Sequence, residues 1–495
     1  MKTTFQGVLL EVGEETAQGL DRLMQKYGFM VRYAFKRLLE SGTKMVELER
    51  NLAAETGLPL RYAKDAVAEA NQLIAGQKAL VGEHLELWQR RKRKTVERIN
   101  KIAKKDPQSR KLPGLRSKLE KQQRKGAFYQ QHAEKSTFPP VIFGSRGLYL
   151  SQFKEGVNQA AWRQEWDDAR NGRLAARGDR TKKGNPLLRI HEQDGAWWLD
   201  ISLDRGETHG KSIRYDKRKI PLYVPRKISK TTGAINGRDY VALLRQAIER
   251  GDPYQVEILR KCGVYHVHVT VEEIPAKLVT YPVNGWVGMD TNPTLLALCY
   301  VRTDGNPQAF QCDREGLLYD ARSQRREWLT GNLARQVVRY AKERGAGLVM
   351  EDLRFVKDKE VSTKFRRITH QFVYRKVLVA VEREAKREGV ELRKVHPAYT
   401  SVIGRLKYQP QYGISVHESA ALVIARRGGL KIRRENVPKP IKDWLAAKQT
   451  FNETAYRKTD WSIWRQAKKL IEKTLQGKGG NLVSWLDQRK ELLRG

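Results

Sequence analysis

Between residues 285 and 401 the chain alternates short apolar runs with longer amphipathic ones, an order that narrows the available folds more than any other feature of the sequence. The runs are Gly285-Trp-Val-Gly-Met-Asp290, Gly345-Ala-Gly-Leu-Val-Met-Glu351 and Val390-Glu-Leu-Arg-Lys-Val-His-Pro-Ala-Tyr-Thr-Ser401. Between the second and third, residues 369 to 388 repeat apolar side chains at helical spacing through Phe372, Val373, Val377, Leu378 and Val381, and Gln324 to Lys342 does the same before the second. Strand, helix, strand, repeated, is the pattern of parallel strands joined by crossover helices. The first run is followed by Leu-Leu-Ala-Leu-Cys-Tyr-Val and an Asp304-Gly305 turn, which predicts a second strand beside it.

Two of these runs end in an acid. A strand end holds a carboxylate on a rigid frame, so Asp290 and Glu351 on neighbouring strands make a candidate pair for binding a metal ion. Singly, Asp290 is a turn former and Glu351 a solvated strand end; their order and context together favour a catalytic pair. Further on, Ser415-Val-His417-Glu418-Ser-Ala420-Ala421-Leu-Val-Ile-Ala425 predicts a helix whose small residues pack closely on the sheet and whose first turn aims His417 or Glu418 at the acids. Ser415 and Glu418 also spell an S-x-x-E capping box, which satisfies orphan amides without any chemistry.

The 495 residues carry 95 Lys and Arg against 56 Asp and Glu, a formal charge of +39, and a polyanion is the simplest partner for such a chain. The excess is spread: Arg90, Arg91, Lys92, Arg93 and Lys94 lie early, Arg177, Arg180, Lys182 and Lys183 in the middle, and Arg426 and Arg427 late. These are the candidate phosphate contacts. No run of about 18 apolar residues occurs and the N-terminus lacks the apolar core of a signal peptide, so a soluble, cytoplasmic protein without membrane contact is expected. Three cysteines, Cys262, Cys299 and Cys312, with no C-x-x-C pair, leave no four-cysteine zinc site, and zinc is not expected.

The organisation expected is a multi-domain α+β protein. Residues 1–14 form a first strand that belongs to a later β-rich domain. Residues 15–135 form a helical lobe, in which Tyr62 to Lys105 and a return helix past Pro107, Pro113 and Gly114 make a long basic hairpin. Residues 136–280 are β-rich and barrel-like, with one hairpin turning at Asp194-Gly195 and another at Cys262-Gly263. In the second hairpin Val267, Val269 and Val271 face the core, with Tyr265, His266, His268 and Thr270 on the wet side; polar-face placement accounts for the two histidines without a metal. The segment Arg170 to Asn185, rich in Arg, Lys and Gly, reads as a mobile loop. Residues 281–435 hold the strand–helix repeats, and 436–495 form a helical tail with Trp444, Trp461, Trp464 and Trp485, whose expected role is packing.

The ordered set Gly-Met-Asp290, Val-Met-Glu351-Asp-Leu, the Val-His-Pro-Ala-Tyr-Thr-Ser401 exit and the closing Ala-Ala helix resembles the three RuvC motifs of TnpB proteins, transposon-encoded RNA-guided nucleases related to compact type V CRISPR effectors. The likeness spans roughly residues 285 to 435. It implies an RNase H-like (RuvC) α/β domain, a β-rich wedge domain and a helical recognition lobe. It further implies a guide RNA and double-stranded target DNA as partners in a prokaryotic cytoplasm, associated with the nucleoid. The chemistry implied is endonucleolytic hydrolysis with two Mg²⁺ or Mn²⁺ ions, Asp290 and Glu351 serving as ligands and Glu418 or His417 as the third.

Two departures from the family stand out. Its zinc ribbon is replaced by Val402 to Ile414, and the Asp expected before the Ala-Ala pair is His417, with Glu418 displaced by one residue. A nuclease-dead RNA-guided DNA binder is therefore the chief alternative, and a guide-free nucleic-acid binder resembling RuvC resolvases the second. Oligomeric state, guide and target-adjacent motif are not written in the sequence.

Overall fold

A computed structural model describes residues 1–40, 42–209, 212–226, 228–229, 231, 233, 235, 238–291, 295–313, 322–353, 371–429, 435–447 and 459–476. The chain is mixed α+β with two sheets and divides into two compact units, residues 2–273 and 274–495.

The first unit begins with β1 (Lys2–Leu9), whose alternation buries Phe5 and Leu9 and leaves Lys2, Thr4 and Gln6 exposed. Helices α1 (Glu14–Arg37), α2 (Met45–Thr56), α3 (Leu60–Lys105), α4 (Leu112–Glu134), α5 (Arg146–Ser151) and α6 (Gln159–Asn171) follow. Then come β2 (Arg173–Ala176), β3 (Leu188–Gln193), β4 (Ala196–His209), β5 (Ser212–Tyr223), α7 (Tyr240–Glu249), β6 (Gln255–Lys261) and β7 (Val264–Glu272). The seven strands run in the order β2-β6-β7-β1-β5-β4-β3. The pairings of the described residues leave β2 and β3 at opposite edges, so the barrel-like closure expected from sequence is not among them.

Both expected hairpins are present. At Asp194-Gly195 and at Cys262-Gly263 both residues have positive φ, the geometry of a type I′ turn. α3 and α4 pack antiparallel as the long basic hairpin. One apolar cluster joins Leu20, Met24, Tyr27 and Tyr62 of the helices to Val256, Val267 and Val269 of the sheet.

Two sequence readings are corrected here. Tyr265 lies with the buried valines of β7 and not with the histidines, because it follows the strand's period of two and its hydroxyl donates to Asp21. Residues 170–185 are ordered as the end of α6, β2 and a 3₁₀ turn over Arg180–Lys182. Ion pairs tie the segment down: Arg177 Nε donates to the buried Asp65 at 2.7 Å, Asp179 pairs with Arg61, and Arg173 bridges Glu69 and Glu257.

The second unit is built on a five-stranded sheet of β8 (Trp286–Thr291), β9 (Leu296–Val301), β10 (Pro307–Asp313), β11 (Gly347–Glu351) and β12 (Leu392–Val395), ordered β10-β9-β8-β11-β12. The first three strands form an antiparallel meander, while β8, β11 and β12 are parallel. α8 (Ser323–Glu343) and α9 (Gln371–Glu388) cover one face. α10 (Val416–Gly429) lies on the other, with α11 (Lys439–Ala447) and α12 (Asp460–Gln476) outside it.

Trp464 is fully buried and Trp444 packs against the same apolar cluster, the structural role expected of the tail's tryptophans, whereas Trp485 lies outside the described residues. Among the described residues no helix is long and apolar enough to cross a membrane.

Candidate active site

β8 and β11 pair in parallel with Met289 beside Met350, so the next residues, Asp290 and Glu351, stand side by side where the two strands run out. Alternation fixes their face. Val287, Met289, Leu348 and Met350 enter the core beneath α8 and α9, which turns Asp290 and Glu351 toward α10. α10 comes close because Gly288 and the small residues opposite permit it: a Cβ on Gly288 would strike the Ala421 carbonyl and the Ala425 amide.

Asp290 is 8% exposed, and its Oδ2 lies 2.9 Å from Nδ1 of His417 in the first turn of α10. Glu351 Oε1 accepts a hydrogen bond from Thr400 Oγ1 at 2.6 Å, just past β12, where Tyr399 turns the chain with a positive φ. Burial pushes the Glu351 carboxyl up to about 7; the Thr400 hydrogen bond opposes this, the Asp290 charge adds to it, and the Arg427 guanidinium opposes it. A buried carboxylate beside a half-buried one, each repelling the other, is a donor set suited to a hard divalent cation, since oxygen ligands and concentrated negative charge are what Mg²⁺ and Mn²⁺ select. Among the described residues, no group of three or more His, Cys, Asp or Glu is placed to hold an ion.

The two third-ligand candidates separate. His417 contacts the acid pair through Asp290. Glu418 closes the capping box in both directions: its Oε2 accepts from the Ser415 amide at 2.9 Å, and its own amide donates to Ser415 Oγ at 3.2 Å. The carboxylate expected as a ligand is thus holding the start of α10.

Of the expected phosphate contacts, Arg91, Lys92 and Arg93 are exposed on α3 with Arg90 and Lys94 half-buried beside them, and the Arg91 guanidinium lies 4.8 Å from the Trp88 ring centre. Arg180, Lys182 and Lys183 are exposed. Arg177 instead pairs with Asp65.

Arg426 and Arg427 turn inward. Arg426 Nε donates to the buried Glu435 at 3.1 Å, which also takes Lys407 and the Tyr408 hydroxyl. Arg427 Nη1 donates to the His396 carbonyl at 2.7 Å, burial holds its guanidinium below the ordinary arginine range, and Glu351 is among its charged neighbours. Sequence reasoning missed Thr400 and Arg427 as neighbours of the acids. Thr400 had a signal, since it sits in the strand exit after β12; Arg427 had none, because a basic residue late in a helix reads as solvated.

Among solved structures the chain is similar to Thermus thermophilus RuvC, at 17% identity over 28% of this chain and 90% of that one, with a TM-score of 0.22. It is also similar to Cas12f1 in an sgRNA–target DNA complex, at 13% identity over 86% and 99% of the two chains with a TM-score of 0.23. For Cas12i in a crRNA–dsDNA complex the identity is 10% over 73% and 67%, with a TM-score of 0.29. No curated protein matches the chain. The family model for the SSO2105 N-terminal domain matches residues 2–283, which is more than half of the chain and closely spans the first compact unit, and the protein is a member of that family.

Proposed function

We propose that this protein is a divalent-metal-dependent DNA endonuclease guided by RNA, of the transposon-associated TnpB type. One observation carries the catalytic half of this reading: Asp290 and Glu351 occupy matching positions at the ends of adjacent parallel strands, on one face, both desolvated, with His417 on Asp290. Asp290 and Glu351 would hold the metal. When bound, Mg²⁺ or Mn²⁺ supplies an activated water and charge stabilisation for the departing oxygen. The chain's own residues set the stage: Thr400 orients Glu351, and His417 fixes the Asp290 carboxylate. The guide and target half of the reading rests on the formal charge of +39, the exposed bases of α3 and the motif resemblance.

The test begins with the protein purified from cells carrying its native locus. A discrete RNA with one variable end is expected to co-purify; random fragments alone would remove the guide from the proposal. With that RNA, wild type is expected to cut matching DNA in Mg²⁺ or Mn²⁺ and Asp290→Ala to be inactive, whereas undiminished cutting by Asp290→Ala would sink the site assignment. A second reading, RNA-guided binding without cleavage, is favoured by the engagement of Glu418 in its cap and of Asp290 with His417. Its signature is a wild type that retains guide and target yet cuts nothing.

A further inference from the structure

On the side of the second sheet away from the acids, α8 and α9 line a cleft of about 500 Å³. Its lining includes Arg335, Arg375, Lys376, Arg383 and Arg387 against two acids, Glu327 and Glu384, and Glu384 is itself paired with Arg387 at 2.5 Å. Arg335, Arg375 and Arg383 are exposed. The floor is small and apolar, formed by Gly331, Ala334 and Ala380, with the half-exposed Val379 at its edge.

Gly331 is the informative residue. It lies inside the 21-residue α8, where glycine weakens a helix relative to alanine, and a Cβ built on it meets nothing within 4 Å. Among the described residues no packing calls for glycine there. What a glycine gives at the floor of a cleft is bare backbone and room for a ligand to come close. One turn before it on α8, Trp328 is 63% exposed, a large ring with no burial to account for it.

We infer that the α8–α9 cleft is a binding groove for single-stranded nucleic acid, its phosphates received by Arg335, Arg375 and Arg383 over the bare backbone of Gly331 and a base received by Trp328. Charge selects a polyanion, and three exposed guanidiniums lining a groove between two helices offer forked donors to phosphate. The size selects one strand over two, since a cleft of about 500 Å³ takes side-chain-sized groups and not a duplex. An exposed indole beside such a groove adds stacking that any base satisfies. The inference rests on the reading of this protein as a nucleic-acid binder and adds a site to it, remote from the acids.

The experiment is fluorescence anisotropy with a labelled oligo-dT strand and a labelled hairpin duplex, using the full chain at fixed ionic strength. Arg335→Glu with Arg383→Glu is expected to weaken strand binding about tenfold or more and to flatten its salt dependence. Gly331→Leu fills the floor and is expected to weaken it about tenfold while the melting temperature holds or rises, which separates a blocked groove from a damaged fold. Trp328→Ala is expected to lose a smaller factor, about fivefold or more. Single-strand affinity within twofold of wild type in both the charge-reversed and Gly331→Leu proteins overturns the groove but leaves the nucleic-acid reading standing. Equal losses on strand and duplex overturn the single-strand assignment. A wild type that binds neither overturns the groove together with the reading it rests on.

Discussion

Nδ1 of His417 sits 2.9 Å from Oδ2 of Asp290, joining the first turn of α10 to the end of β8 at the point where the sheet presents its acids. The imidazole stands where the resemblance to TnpB proteins expects a carboxylate. It gives a buried acid a partner.

His417→Ala leaves Asp290 buried with its partner gone, and a loss of about 1–3 kcal/mol is expected from the unsatisfied carboxylate. His417→Asp crowds a third negative charge against Asp290 and Glu351, so this variant is expected to melt below wild type in EDTA and to recover in millimolar Mg²⁺. Thermal melts with and without the ion check both. A His417→Asp protein indifferent to Mg²⁺ would falsify the view that these carboxylates form a divalent-cation site.

Glu351 sets a pH dependence whose sign follows from its burial. Its ordinary pKa of 4.5 is raised to about 7 in the folded protein, so across that window the folded chain keeps a proton that the unfolded chain has released. The contribution of this group to stability is therefore full below about pH 4.5 and is lost as pH rises through about 7. Glu351→Gln removes the dependence, and the variant is expected to gain on wild type from about pH 5 to about 7 and then to level off, in metal-free denaturant titrations. Divalent-ion binding requires the ionised carboxylate, so it should strengthen over the same window and release a proton, seen by calorimetry in buffers of different ionisation enthalpy.

Glu418 is expected to matter for stability and little for chemistry. Both halves of the capping box are formed, and such a cap contributes about 1 kcal/mol. Glu418→Gln keeps an oxygen for the Ser415 amide and should retain stability and any cleavage together; Glu418→Ala should lose about 1 kcal/mol with cleavage per folded molecule unchanged. Cleavage lost in Glu418→Gln at full stability would return this residue to the role of metal ligand.

How far the sequence disclosed this arrangement depends on the range of each interaction. Periodicity and turn chemistry are local, so the strands ending at Asp290 and Glu351, the two β-hairpins with their Asp194-Gly195 and Cys262-Gly263 turns and the long α3–α4 hairpin were legible from short stretches of sequence. The capping box was legible too, because its two residues lie three apart. Which first-turn residue of α10 meets Asp290 depends on the rotation of a helix against a strand more than a hundred residues earlier, and no local pattern encodes that.

The basic residues were the least legible. Arg177 and Arg426 look like the exposed bases of α3 in sequence, yet they meet Asp65 and Glu435, and only the fold supplies those acids. Residues 170–185, read as a loop, are held by pairs of the same kind, Arg177 with Asp65, Arg173 with Glu69 and Glu257, and Asp179 with Arg61.

That contrast yields a prediction that separates bases serving the fold from bases serving a ligand. Lys92 and Arg93 are exposed on α3, so replacing both with alanine should leave the melting temperature in place. If each meets one phosphate, the slope of log binding constant against log salt should fall by about 2, at roughly 0.9 per contact. Arg177→Ala should do the reverse. Asp65, 6% exposed, loses its charged partner, and about 1–3 kcal/mol of stability goes with it while the salt slope stays at the wild-type value. Titrating both variants with the same nucleic acid at several salt concentrations, beside their melts, decides the matter. A reduced slope in Arg177→Ala at unchanged stability would mean that this guanidinium leaves Asp65 for phosphate, and a full slope in the Lys92 and Arg93 variant would mean that this stretch of α3 is a solvated face and nothing more.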